Sequence, residues 1–203
     1  QLAVHTIGDR AIEMALKGFK YAYESKKEAA KNRPILVHTQ ITSEDLNERM
    51  RKFGIVAAIQ PVFLRTDWPA IENRVGKKRS KMSYAWKTLY DNIHVSGSSD
   101  APIEPFDPLL GIYTAVSRKD FEGKPEGGWH PEEKMSVYEA LDIFTKGSAY
   151  QSFEEDIKGS LSKGKFADFT VLNKDITQID EDKIKDLEIL ATYVGGDLKY
   201  SKK

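Results

Sequence analysis

The chain has 203 residues, balances 31 basic against 31 acidic side chains and contains no cysteine. That balance gives no net field toward nucleic acid or an anionic membrane. The missing cysteines exclude disulfides, thiolate catalysis and Cys-ligated zinc or iron–sulfur sites, so any bound metal is held by His, Asp or Glu.

A chain of this length buries roughly 70% of its unfolded surface, enough for one core with a small satellite. No apolar run reaches the roughly 18 to 20 residues of a membrane span, and the N-terminus shows no basic region followed by an apolar core. A cytoplasmic protein is expected. Gln1 is not an initiator methionine, so a piece of a longer protein or a processed product is also expected.

In chain order, the run LAV leads to His5, and Asp9 is placed to cap a helix. Ile12, Leu16, Phe19 and Tyr23 recur at three- and four-residue spacing, which predicts an amphipathic helix of about five turns. The polar stretch KKEAAKNRP ends it, because Pro34 disfavours helix at Arg33. ILVH, 35–38, reads as a short buried strand. Thr42 and Ser43 offer the next cap, Leu46, Met50 and Phe53 the apolar stripe, and Gly54 the stop. GIVAAI, 54–59, is a third strand, closed by Pro61. Residues 61–83 mix cations and aromatics without a clear period and read as a long irregular loop. A helix around 84–90 leads into IHVSGSSD, a strand ending in small residues and an aspartate.

Strands that alternate with helices and are apolar on both faces argue for a parallel sheet with helices packed outside, an α/β class. Residues 119–134 form a Gly-, Pro- and charge-rich loop, and 136–150 a helix with Val137, Leu141 and Phe144 on one face. After Gly159 come short strands, ADFTVLN and ILATYVGGDLKY, with a hairpin turn at Gly195-Gly196. This divides the chain into 1–158 and a small β subdomain at 159–203, with no internal repeat.

In parallel α/β folds the C-terminal strand ends carry the site. The polar residues there are His5, His38, Gln60 and Asp100. Two imidazoles and a carboxylate on one rim are suitable donors for zinc or a similar divalent ion. Gly8 lets the backbone turn away behind His5, and Asp100 beside a metal-activated water is placed to move its proton. Taken singly, each histidine reads as a packed strand-end residue and Asp100 equally as a turn cap; it is their coincidence on one rim that points to a site. His94 lies at the start of its strand and reads as structural, His130 as a loop residue. The basic run at 77–81 reads as a solvated face, since no aromatic platform accompanies it, and nucleic acid is not an expected partner.

These residues also carry a resemblance. HTIGDRAIEMAL at 5–16, VHTQ at 37–40, GSSDAPIEPFDPLLGIYTAVSR at 97–118 and GKFADFTVL at 164–172 resemble the C-terminal part of the YtcJ-like (Amidohydro_3) metal-dependent amidohydrolases. Trp129, Pro131, Glu132, Ser136 and EAL at 139–141 fit as well. The resemblance implies the second half, strands five to eight, of a TIM (β/α)8 barrel plus part of a small β-sandwich subdomain. It implies that His5 and His38 are the metal ligands after the fifth and sixth strands. Asp100 matches the aspartate after the eighth, which binds metal and acts as general base. Arg79 resembles an arginine of the seventh loop that contacts substrate. The implied cofactor is a divalent metal, zinc being the expected ion, and the implied partner a small-molecule substrate.

The departure from the family is large: the His-x-His pair of the first strand and the bridging lysine of the fourth are missing, since the first histidine is already His5. Four adjacent barrel strands cannot close a ring. Cover is expected from a homo-oligomer, the missing barrel half or a rearrangement. The expected activity of the parent protein is hydrolysis of amide or cyclic amide carbon–nitrogen bonds, with little or none in this chain alone; deamination belongs to the same chemistry. The competing expectation is a non-catalytic half-barrel scaffold or oligomerisation piece.

Overall fold

A computed structural model describes residues 1–26 and 31–202. Four short strands, β1 (Ala3–Thr6), β2 (Ile35–His38), β3 (Val56–Ile59) and β4 (His94–Gly97), pair in parallel in that order. The register sets His5 opposite Val37 and Val56 opposite both Ile35 and His94. Leu36, Ala57, Ile59 and Val95 belong to the main core under the helices, while Ile35, Val56 and Ala58 cluster with Val37 and Tyr150 elsewhere. Apolar residues at successive strand positions therefore serve two clusters, which is why these strands read as unbroken apolar runs.

Helix α1 (Asp9–Ser25) buries Ile12, Leu16 and Phe19, the stripe its spacing predicts. Its N-cap position is Gly8 and not the expected Asp9, which is the first helical residue and pairs its carboxylate with the next backbone N–H. An acidic group in the first turn still opposes the helix dipole favourably. The expected helix-ending stretch at 26–34 includes residues 27–30, which lie outside the described residues. Helix α2 (Glu44–Lys52) begins as expected, with the Ser43 hydroxyl accepting the Leu46 N–H, and buries Leu46 and Met50.

The largest correction concerns 61–83. In place of an irregular loop there are a 3-10 turn (Pro61–Phe63), helix α3 (Leu64–Val75) and helix α4 (Lys77–Ser80). Leu64, Trp68, Ile71 and Val75 fall at four, three and four residues and all pack on the main core. The period was obscured by charges and by Pro69 inside the helix, which lacks the N–H for the Arg65 carbonyl.

Helix α5 (Trp86–Tyr90) precedes β4, and α6 (Pro108–Ser117) follows it, capped by the Asp107 carboxylate on the Leu109 N–H. The expected single helix at 136–150 is broken into α7 (Val137–Asp142), a π turn (Ile143–Gly147) and α8 (Ser148–Gln151). The π turn brings Phe144 against Gly97 and Gly111, where Cβ atoms would stand 2.9 and 2.5 Å from the ring.

Strands β5 (Phe169–Leu172), β6 (Ile189–Val194) and β7 (Asp197–Ser201) form an antiparallel sheet, turning at Gly195-Gly196 as expected. Between β5 and β6 a 3-10 helix (Glu181–Asp186) buries Ile184 in the main core, and Lys119 pairs with Asp182 at 2.9 Å. Among the described residues no helix is long and apolar enough to cross a membrane.

Candidate metal centre

Strict alternation along the strands would separate the two imidazoles. His5 lies opposite Val37 and His38 opposite Thr6, so their side chains belong to opposite faces of the sheet. The rings nevertheless meet edge to face, centroids 4.5 Å apart, with His38 Nε2 3.0 Å from His5 Nδ1. The backbone supplies the reason: φ is +77° at His38 and +48° at Thr39, so the chain leaves the extended conformation there and redirects the imidazole. Non-glycine residues rarely adopt such angles, and they gather at functional sites.

His38 is held from behind. Its Nδ1 lies 2.7 Å from Gln60 Oε1, and Gln60 Nε2 donates to the Ala58 carbonyl at 3.1 Å and to Ser98 Oγ at 2.9 Å. With the amide nitrogen so engaged, Oε1 accepts and His38 Nδ1 carries the proton. Nε2 then keeps its lone pair and accepts from His5 Nδ1. Burial holds the His38 pKa below the usual imidazole value; His5 adds to this, while the Gln60 hydrogen bond and the Asp100 charge oppose it.

Asp100 follows β4 in an exposed turn with φ +58°. Its charge is felt at His38, yet among the described residues no three His, Asp or Glu side chains gather closely enough to hold a metal. The structure thus joins two of the three expected ligands and leaves Asp100 short of them. Arg79, on α4, pairs with Asp9 at 3.2 Å and stays 55% exposed. His94 stacks on Tyr150 at 3.7 Å, and His130 contacts Glu132 at 3.2 Å. Gln60 stands on the rim where the strand-end rule placed it, but its contact with His38 was not expected, and Ser98 joins the centre unforeseen.

Two imidazole nitrogens 3.0 Å apart are donors of a kind that a divalent ion accepts. A tetrahedral ion with bonds of about 2.0 to 2.1 Å keeps two donors roughly 3.3 Å apart, close to the observed separation of the imidazole nitrogens. A ligating histidine also needs its other N–H anchored, which Gln60 provides.

The Amidohydro_3 profile of the amidohydrolase family matches residues 1–200. The chain belongs to that family. It is 40% identical over 205 residues to the putative amidohydrolase YtcJ of Bacillus subtilis, spanning all of this chain and 38% of that protein. The N-substituted formamide deformylase of Arthrobacter pascens is 29% identical over 206 residues, covering 99% of this chain and 36% of its own length. The chain thus spans little more than a third of these relatives. Among solved structures, an uncharacterized metal-dependent hydrolase from Pyrococcus horikoshii OT3 superposes with TM-score 0.76 at 31% identity, over 88% of this chain and 35% of that one. Atrazine chlorohydrolase TrzN from Arthrobacter aurescens, complexed with zinc and atraton, shares the fold at TM-score 0.62 and 18% identity, over 98% and 43%. The parallel sheet and its helices are therefore part of the larger α/β fold of the amidohydrolases.

Proposed function

We propose that the whole protein is a metal-dependent hydrolase of amide or cyclic amide carbon–nitrogen bonds in small molecules, with His5, His38 and Asp100 as its donors from this part of the fold. The observation that carries this reading is the contact of His38 Nε2 with His5 Nδ1, backed by an anchored Nδ1 proton. Family membership and the naming of one relative for a deformylation support the bond type. The four parallel strands are read as strands five to eight of a (β/α)8 barrel and residues 159–203 as part of a β-sandwich subdomain. The edges of β1 and β4 would be covered by the other barrel strands or by a second copy, in a cytoplasmic protein.

A divalent ion, zinc for imidazole donors, supplies carbonyl polarisation and an activated water. His38 would offer the Nε2 lone pair, and His5 would offer Nδ1 in its other tautomer, with the ring proton carried on Nε2. The exposed Asp100 carboxylate takes a proton from the attacking water and returns it to the departing nitrogen. Arg79, more than half exposed beside Asp9, is assigned to substrate contact. The 203 residues alone are expected to turn over slowly, because two imidazoles are in place and the carboxylate is not.

That same absence of a three-donor cluster among the described residues favours a second reading, a non-catalytic half-barrel scaffold. The two separate on one assay: amine release from N-substituted formamides and cyclic amides with added zinc, comparing wild type with Asp100→Asn. In the whole protein, turnover that falls at least roughly 100-fold in the variant supports the hydrolase; no turnover by the zinc-loaded whole protein supports the scaffold.

A further inference from the structure

We propose that Gln60 is a positioning residue of the metal centre. It would select the tautomer of His38 and tie that ring to the strand end that carries Asp100; this rests on the metal-hydrolase reading above. Gln60 directly follows β3, is 4% exposed and makes polar contacts toward three strands. Its amide could be turned two ways, and chemistry decides between them. The Ala58 carbonyl, 3.1 Å away, accepts hydrogen bonds only, so the amide nitrogen faces it. A reversed amide would set two carbonyl oxygens against each other at that distance in a buried place.

With the nitrogen so placed, Oε1 faces His38 Nδ1 at 2.7 Å and the imidazole donates. A neutral imidazole has one N–H, so Nε2 is left with its lone pair on the side where His5 stands. The opposite tautomer would aim an N–H at the position an ion requires. The second amide hydrogen goes to Ser98 Oγ at 2.9 Å, and the Ser98 N–H in turn donates to the Ile59 carbonyl. Ser98 lies two residues before Asp100. One buried side chain thus links the ends of β2, β3 and β4, in a chain of hydrogen bonds that polarise one another.

The test uses the 203-residue protein as wild type, Gln60→Leu and Gln60→Glu, with two readouts. The first is nitrogen-15 NMR of the histidines without metal at mildly alkaline pH. Wild type should show His38 as the single Nδ1–H tautomer, Gln60→Leu a mixture, and Gln60→Glu the wild-type form, because a carboxylate still accepts the Nδ1 proton. The second is zinc affinity by competition with a chelating dye. Gln60→Leu should weaken binding about 10- to 100-fold, the usual loss for an outer partner of a ligating histidine, and Gln60→Glu should recover part of it.

An Nε2–H tautomer in the wild type overturns the proposal with no variant needed. So does a Gln60→Leu protein whose tautomer and zinc affinity are both unchanged. Should Gln60→Leu not fold, the wild-type tautomer decides alone, since an Nε2–H form there is incompatible with the amide as placed. Failure of the metal reading has its own signature, equal zinc binding by wild type and His38→Ala, and the tautomer readout then decides the role of Gln60 by itself.

Discussion

Gly147 lies so close to the backbone of Val95 that a Cβ on it would stand 2.1 Å from the Val95 carbonyl oxygen. That carbonyl belongs to β4, the strand that leads to Asp100, and it has little freedom to retreat. Gly147→Ala is therefore expected to lower stability by about 3 kcal/mol or more, beyond the usual cost of overpacking. Gly111→Ala meets only the Phe144 ring, at 2.5 Å, and a ring can turn, so about 1 to 3 kcal/mol is expected there. Urea denaturation of both variants checks the order, and a larger loss for Gly111→Ala would contradict it.

Arg33 grips Glu155 with both ends of its guanidinium, at 2.5 and 2.9 Å, while lying over the Tyr150 ring at 3.7 Å. The hydrogen bonds from Arg33 push the Glu155 carboxyl down to about 2 from its ordinary 4.5. A carboxyl with a depressed folded-state pKa stabilises the fold above its unfolded value and loses that contribution as pH falls through the folded one. Stability should therefore drop between about pH 5 and about pH 2, with up to one proton taken up on unfolding at this group. Arg33→Met is expected to remove that part of the slope. Urea midpoints measured across this range give the comparison, and parallel curves for the two proteins would refute the assignment.

Arg118 is fully buried between the Trp86 and Trp129 rings, 4.5 and 5.4 Å away, and donates to the carbonyls of Trp129 and Tyr84 at 2.9 and 2.6 Å. Removing it strands the buried Trp129 carbonyl, at a cost of about 1 to 3 kcal/mol, and leaves the Tyr84 carbonyl with the Trp86 N–H as its remaining donor. Arg118→Met is expected to lose roughly 3 kcal/mol, and Arg118→Lys should not recover it, since a single ammonium lacks the fork that spans both carbonyls. Full stability in the lysine variant would show that charge, not geometry, matters here.

Much of this architecture was legible in the residues. The alternation of ILVH and GIVAAI with amphipathic stretches announced the parallel sheet, Ser43 announced its helix, and Gly195-Gly196 announced the hairpin. What escaped was local masking and long-range contact. Pro69 hid the period of α3, and nothing near Ile184 in sequence reveals that it docks under α6. At the site, the strand-end rule located His5, His38 and Asp100 on one rim. Their approach to one another was not readable, because it depends on the positive φ angles of His38 and Thr39, which side-chain identity does not encode. The role of Gln60 was hidden for a related reason: an amide gains meaning only from the groups folded around it.

The claim that His5 and His38 hold the ion is tested most directly by zinc titration of the wild-type protein, His5→Ala and His38→Ala by calorimetry. Wild type is expected to bind near one ion per chain, weakened at least about 100-fold in each variant, since each substitution removes one of the two imidazole donors. Binding of equal strength in all three proteins would contradict it.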